Sequence, residues 1–226
     1  MSLSCLLLAV LCQASSVQAQ SSSLQFWPEI DNFIRLGKPT RLYVPLSSTR
    51  TGINDPAQNG TAGIYFDFFT PALGRLRKAI QPDPARRGRL LLRAGYAYSA
   101  PGDGSPATNT FTVEGTGRAH LPGQVLLSER NKFDFNYTDG DYDPRYRNRV
   151  RLERDIQLGA PTLTPYGYVE FFYDFADKKW FRTRLVGGLE FHLWERVVPE
   201  IYYQADNNYT SDNVDGIGVV VSLYYR

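Results

Sequence analysis

The chain has 226 residues, with 25 Lys plus Arg against 23 Asp plus Glu and a formal charge of +2, so its overall balance encodes no nucleic-acid-binding face. With 42% hydrophobic and 14% aromatic residues it is too apolar for a disordered chain. Its 15 Tyr and 13 Phe against one Met favour strands over helices.

Residues 1–19 read as a signal peptide. Leu6 to Leu11 form a short apolar run, and Val17-Gln18-Ala19 supplies an A-x-A-like cleavage site. The run is too short to cross a bilayer as a helix, and no later stretch is longer. A lipoprotein reading of Cys12 fails because Leu11 stands where a small residue is needed. Both cysteines, Cys5 and Cys12, fall in this leader. Residues 20–226 are therefore expected to form one exported domain without disulfides.

Period-two runs separated by turn clusters follow. They predict strands over 26–36, 40–49, 62–70, 89–99, 109–121, 124–137, 144–156, 164–175, 180–193, 196–207 and 213–226. Most exceed the five or six residues usual in soluble sheets, and they suit tilted transmembrane strands of about nine to eleven. The connections alternate in kind. Short turns at Leu121-Pro122-Gly123, Leu158 to Thr162 and Trp194-Glu195 trade places with more polar loops at Gly102 to Thr108, Thr138 to Asp143, Ala176 to Lys179 and Asn207 to Asp212. This is the layout of an outer-membrane barrel. Such barrels have an even strand number, so a short extra strand at Arg75 to Ile80 would bring the total to twelve; ten is the alternative.

The alternation assigns faces. In 144–156, Arg145, Arg147, Arg149, Arg151 and Glu153 oppose Tyr146, Asn148, Val150 and Leu152. In 124–137, Arg130, Lys132 and Asp134 oppose Val125, Leu127, Phe133 and Phe135. A soluble sandwich would turn the apolar face inward, but here the apolar files are long and uniform while the polar files carry charges of both signs. The expectation is a closed, antiparallel, all-β transmembrane barrel with lipid outside and a salt-bridged lumen. Lumen-lining charges are Arg93, Arg118, Arg130, Lys132, Arg147, Arg149, Arg151, Glu153, Glu170, Arg182, Arg184, Glu190 and Glu200. Trp27, Tyr43, Tyr96, Tyr98, Tyr137, Tyr146, Trp180, Trp194, Tyr224 and Tyr225 are expected in interfacial girdles.

Several stretches in order, FWPEID, LLRAGYAY, LLSERN, YRNRVRLER, TPYGYVEFFYD, RTRLVGGLEF and PEIYYQ, resemble the bacterial outer-membrane β-barrel family catalogued as domain of unknown function 2490. The resemblance implies a barrel in the bacterial outer membrane, but no substrate, catalytic residue or partner. One departure is that Arg226 follows Tyr225, where such barrels usually end on an aromatic residue.

Candidate sites are few. The arginine file could form an anion-selective constriction, but a structural ladder neutralised by neighbouring carboxylates is the plainer reading. His120 and His192, both in inward register, have carboxylates nearby but no serine beside them, so an enzyme is not the favoured reading. The Asp139, Asp141, Asp143 cluster lacks the twelve-residue calcium-loop pattern and reads as a polar turn. No metal or cofactor is expected. The chain is expected to be a monomer, contacting outer-membrane lipid and, during insertion, the barrel-assembly machinery. The leading expectation is a structural or narrow-pore barrel. A lipid-modifying or hydrolytic barrel enzyme and a secreted ligand-binding β-sandwich are the alternatives.

Overall fold

The computed structural model describes residues 23–51, 57–70, 88–102, 104–157, 162–209 and 211–225. The signal peptide at 1–19, the extra strand at Arg75 to Ile80 and the terminal Arg226 lie outside the described residues. Among the described residues every regular element is a strand: β1 (Ser23–Arg35), β2 (Thr40–Thr49), β3 (Asn59–Phe69), β4 (Leu90–Pro101), β5 (Thr108–Leu121), β6 (Val125–Thr138), β7 (Asp141–Arg154), β8 (Ile156–Gln157), β9 (Thr162–Asp174), β10 (Lys179–His192), β11 (Val197–Asn208) and β12 (Val214–Tyr225).

One sheet closes on itself. Each long strand pairs antiparallel with the next, β7 meets β9 directly, and the two-residue β8 adds only to the end of β9. The seam joins β1 to β12, from Ser23↔Val214 to Ile34↔Tyr225, and it is parallel. Among the described residues the eleven strands read from the alternation close the ring, and the two-residue β8 is an addition that is not the twelfth strand expected at Arg75 to Ile80. With an odd number of alternating strands the first and last run the same way, so only a parallel seam can close the ring. The even-number rule presupposes an antiparallel seam.

The connections alternate between the two ends as the sequence suggests, but one of those at the end where β1 begins is much shorter than expected. Asp139 and Gly140 alone join β6 to β7, with φ of 51° and 89°. Positive φ at both turn positions matches the right-handed twist of a hairpin, which Asp-Gly supplies with little strain. The polar stretch from Thr138 to Asp143, expected as a longer loop, is therefore a tight turn whose flanking residues extend the strands.

Exposure follows the alternation. On β3, Tyr65, Asp67 and Phe69 are buried while Ile64, Phe66 and Phe68 are exposed; on β5, Thr112, Glu114 and Thr116 are buried while Phe111 and Val113 are both more than half exposed. Leu185, Ile201 and Ile217 carry the same apolar exterior across β10, β11 and β12. A soluble fold places large apolar side chains inside and charges outside, and this one does the reverse. That rules out the sandwich, which has two layers and open edges. It is the arrangement of a transmembrane β-barrel.

Outward aromatic rings gather at the end where β1 begins. Tyr137 touches Phe111 (6.3 Å) and Tyr142 (5.0 Å), while Trp180 touches Tyr146 (6.2 Å) and Tyr173 (5.3 Å). Three residues expected in a girdle are inside instead. Tyr43 and Tyr224 stack on either side of Phe33 in the lumen (4.8 and 4.9 Å), and Trp27 shares the register of Glu29 and Asp31 and lies over Gly216. Parity places them there: Tyr43 shares its face with Arg41, and closeness to a strand end does not change which face a residue occupies.

Candidate functional site: the ion-paired lumen

The lumen is built from a few facing pairs. Arg149 on β7 is opposite Glu170 on β9 and also opposite Arg130 on β6. Two arginines side by side would repel each other. Glu170 resolves this by accepting from both, at 3.1 Å from Arg149 Nη2 and in a direct contact with Arg130. Glu170 has no solvent exposure at all. Arg130 also lies 3.5 Å from Glu114 on β5, so one connected row crosses four strands with its two central arginines flanked by carboxylates.

Flanking rows repeat the device. Asp134 holds Lys132 (3.3 Å) and Arg147. Arg151 reaches Glu153 (2.7 Å) and Glu190. Arg184 grips Asp206 with two donors (2.7 and 2.8 Å), and Arg182 lies 3.5 Å from the same carboxylate. Arg93 binds Asp67 with two donors (2.6 and 2.9 Å), and Arg41 adds a third at 2.7 Å. Guanidinium groups lie over rings as well, Arg93 on Tyr43 (4.0 Å), Arg149 on Tyr168 (4.0 Å) and Arg151 on Tyr166 (3.8 Å). Stacking leaves the in-plane donors free to meet carboxylates.

The remaining sequence-predicted residues also face inward. Arg118 lines the lumen near the end where β12 finishes, 3.5 Å from the Gly88 carbonyl, and Glu200 accepts from the Tyr166 hydroxyl. Sequence reasoning missed Arg41, Asp67 and Asp206; Asp206 shares parity with Glu200 on β11, whereas β2 and β3 carry no predicted lumen charge. The available signal is the alternation in DFF and YQADN. His120 is exposed near the end of β5. His192 is buried and lies 3.0 Å from Thr164 Oγ1 and 3.5 Å from Glu190. Thr164 is wholly buried and donates to Asp155 (2.7 Å), so it offers no accessible nucleophile.

Two of the lumenal cavities meet near the middle of the barrel. One of about 210 Å³ lies toward the end where β12 finishes, lined by residues including Arg118, Arg151, Glu153 and Glu190. Another of about 470 Å³ opens toward the opposite end, among Lys132, Asp134, Arg147, Arg182 and Arg184. Arg93, Glu114 and Arg130 line both. They and the Glu170 clasp behind them form a partition across the middle of the barrel.

The family described as "Protein of unknown function (DUF2490)" matches residues 85–216, more than half of the chain and the stretch that carries most of this partition. The chain belongs to that family. Among solved structures, the β domain of the Bordetella autotransporter BrkA is similar at 17% identity, 83% coverage of each chain and a TM-score of 0.45. The loop-L8 deletion mutant of OmpT, an outer membrane protein of Vibrio cholerae, is similar at 8% identity, covering 86% of this chain and 95% of that one, with a TM-score of 0.34. No curated protein matches the chain.

Proposed function

We propose that the protein is a bacterial outer-membrane β-barrel acting as a narrow pore whose conductance is limited by the ion-paired partition. The observation that carries this reading is the shared lining. Two polar cavities meet at Arg93, Glu114 and Arg130, so a solute moving along the barrel axis must pass between fixed guanidinium and carboxylate groups. Such a constriction admits small ions that exchange hydration water for those groups and excludes larger solutes. Outer-membrane lipid covers the apolar wall, and the barrel-assembly machinery inserts it.

Planar-bilayer recording of the purified barrel tests the reading. Small discrete steps are expected, and Arg149→Ala should enlarge them and shift selectivity toward cations, because Glu170 and Glu114 lose part of their compensation. Silence from both the wild type and Arg149→Ala, in protein shown to be folded by heat-modifiable gel mobility, would leave a sealed structural barrel.

A further inference from the structure

The outer wall carries one polar cluster that the pore does not use. Glu129 and Asn131 on β6 and Asn148 on β7 point away from the lumen, since their neighbours Ser128, Arg130, Arg147 and Arg149 point into it. Asn131 Oδ1 accepts from Tyr146 Oη and from Asn148 Nδ2 (3.0 Å), and Asn148 Nδ2 also lies 3.2 Å from Glu129 Oε1. The cluster sits well inside both strands. Glu129 is exposed, among outward neighbours such as Val113, Phe133, Val150 and Leu152.

The hydrogen-bond inventory of this cluster is incomplete in a particular way. Asn131 has its carbonyl oxygen doubly used, while its amide nitrogen makes no bond among the described residues. Glu129 has one oxygen engaged and the other without a bond among them. Beside an apolar wall a spare donor and a spare acceptor each lack the water that would satisfy them. The two deficits complement one another. Next to them on β5, in register with Asn131 and Glu129, stand Gly115 and Gly117. A Cβ at Gly117 would meet nothing within 4 Å, and one at Gly115 would meet only Leu92 at 3.7 Å. The wall is therefore indented beside the polar pair, and small residues of this kind let a second surface approach closely.

We infer that this face, formed by β5, β6 and β7, binds a second copy of the same chain. A two-fold axis along the membrane normal brings like patches together. The free Glu129 oxygen of each copy then accepts from the Asn131 amide of the other, with the partner's side chains seated over Gly115 and Gly117. This interface is independent of whether the lumen conducts. The sequence alone led to a monomer, because nothing in an alternating pattern reveals which outward residues share a patch.

Disulfide trapping in lipid vesicles tests the inference, using the full chain with Cys5 and Cys12 replaced by Ser. Gly117→Cys should cross-link to a dimer under mild oxidation. Ile201→Cys, on an outward position of β11, should not. Adding Glu129→Leu with Asn131→Leu should abolish the Gly117→Cys cross-link while the heat-modifiable gel shift persists. A monomer at Gly117→Cys, a cross-link to another polypeptide, or a dimer indifferent to the double substitution would each overturn it.

Discussion

Arg149 Nη2 stands 3.1 Å from Glu170 Oε2, and Glu170 is fully buried while also serving Arg130. One carboxylate thus keeps two facing arginines compatible in the middle of the barrel. Glu170→Leu should therefore leave two half-buried arginines without their common acceptor and destabilise the barrel by up to about 3–5 kcal/mol, the usual cost of breaking a buried pair from one side. The urea midpoint of the vesicle-inserted protein measures it. Combining Glu170→Leu with Arg130→Met and Arg149→Met should recover most of the loss, because the whole network is then replaced by apolar groups.

Close packing at the seam makes a second prediction. A Cβ on Gly218 would lie 1.9 Å from the Tyr202 ring, and one on Gly216 would lie 2.0 Å from Trp27. These rings fill space that the glycines vacate, across the β11–β12 and β12–β1 pairings. Gly218→Val should cost about 1–3 kcal/mol through overpacking and lower the folded fraction on a heat-modifiable gel. Gly218→Ala paired with Tyr202→Ala should be less harmful than Gly218→Ala alone.

The outer wall makes a third. Val113 is more than half exposed between outward Phe111 and Gly115. Val113→Arg should reduce insertion into vesicles by about 2–4 kcal/mol if that row lies at the midplane. Lys132→Arg, facing the opposite way into the charged lumen, should change insertion little. Equal effects from the two would be inconsistent with the assigned faces.

Much of this was legible in the sequence because a strand's period of two is a local property. The file Arg147, Arg149, Arg151 announces its face without reference to any other strand. What alternation omits is which strand lies opposite. Arg41 and Asp67 have inward parity, but only the β2–β3 register makes them partners. Closure is likewise non-local: the parallel β1–β12 seam follows from the count of long strands and from no single residue. Alternation also gives Glu129 and Asn131 no weight, because the face they share with Leu127, Phe133 and Phe135 is apolar by majority. Asp139-Gly140 was legible as a turn, but the polar residues around it disguised how short the turn is.

Cysteine scanning with nitroxide labels over Thr110, Phe111, Thr112 and Val113, in the background with Cys5 and Cys12 replaced, tests the inside-out geometry most directly. The structure predicts that labels at 111 and 113 are accessible to lipid-soluble oxygen and shielded from a water-soluble nickel complex, with labels at 110 and 112 showing low oxygen accessibility. Uniform accessibility along the four positions, or the opposite phase, would contradict a cylinder with an apolar outer wall and a charged interior.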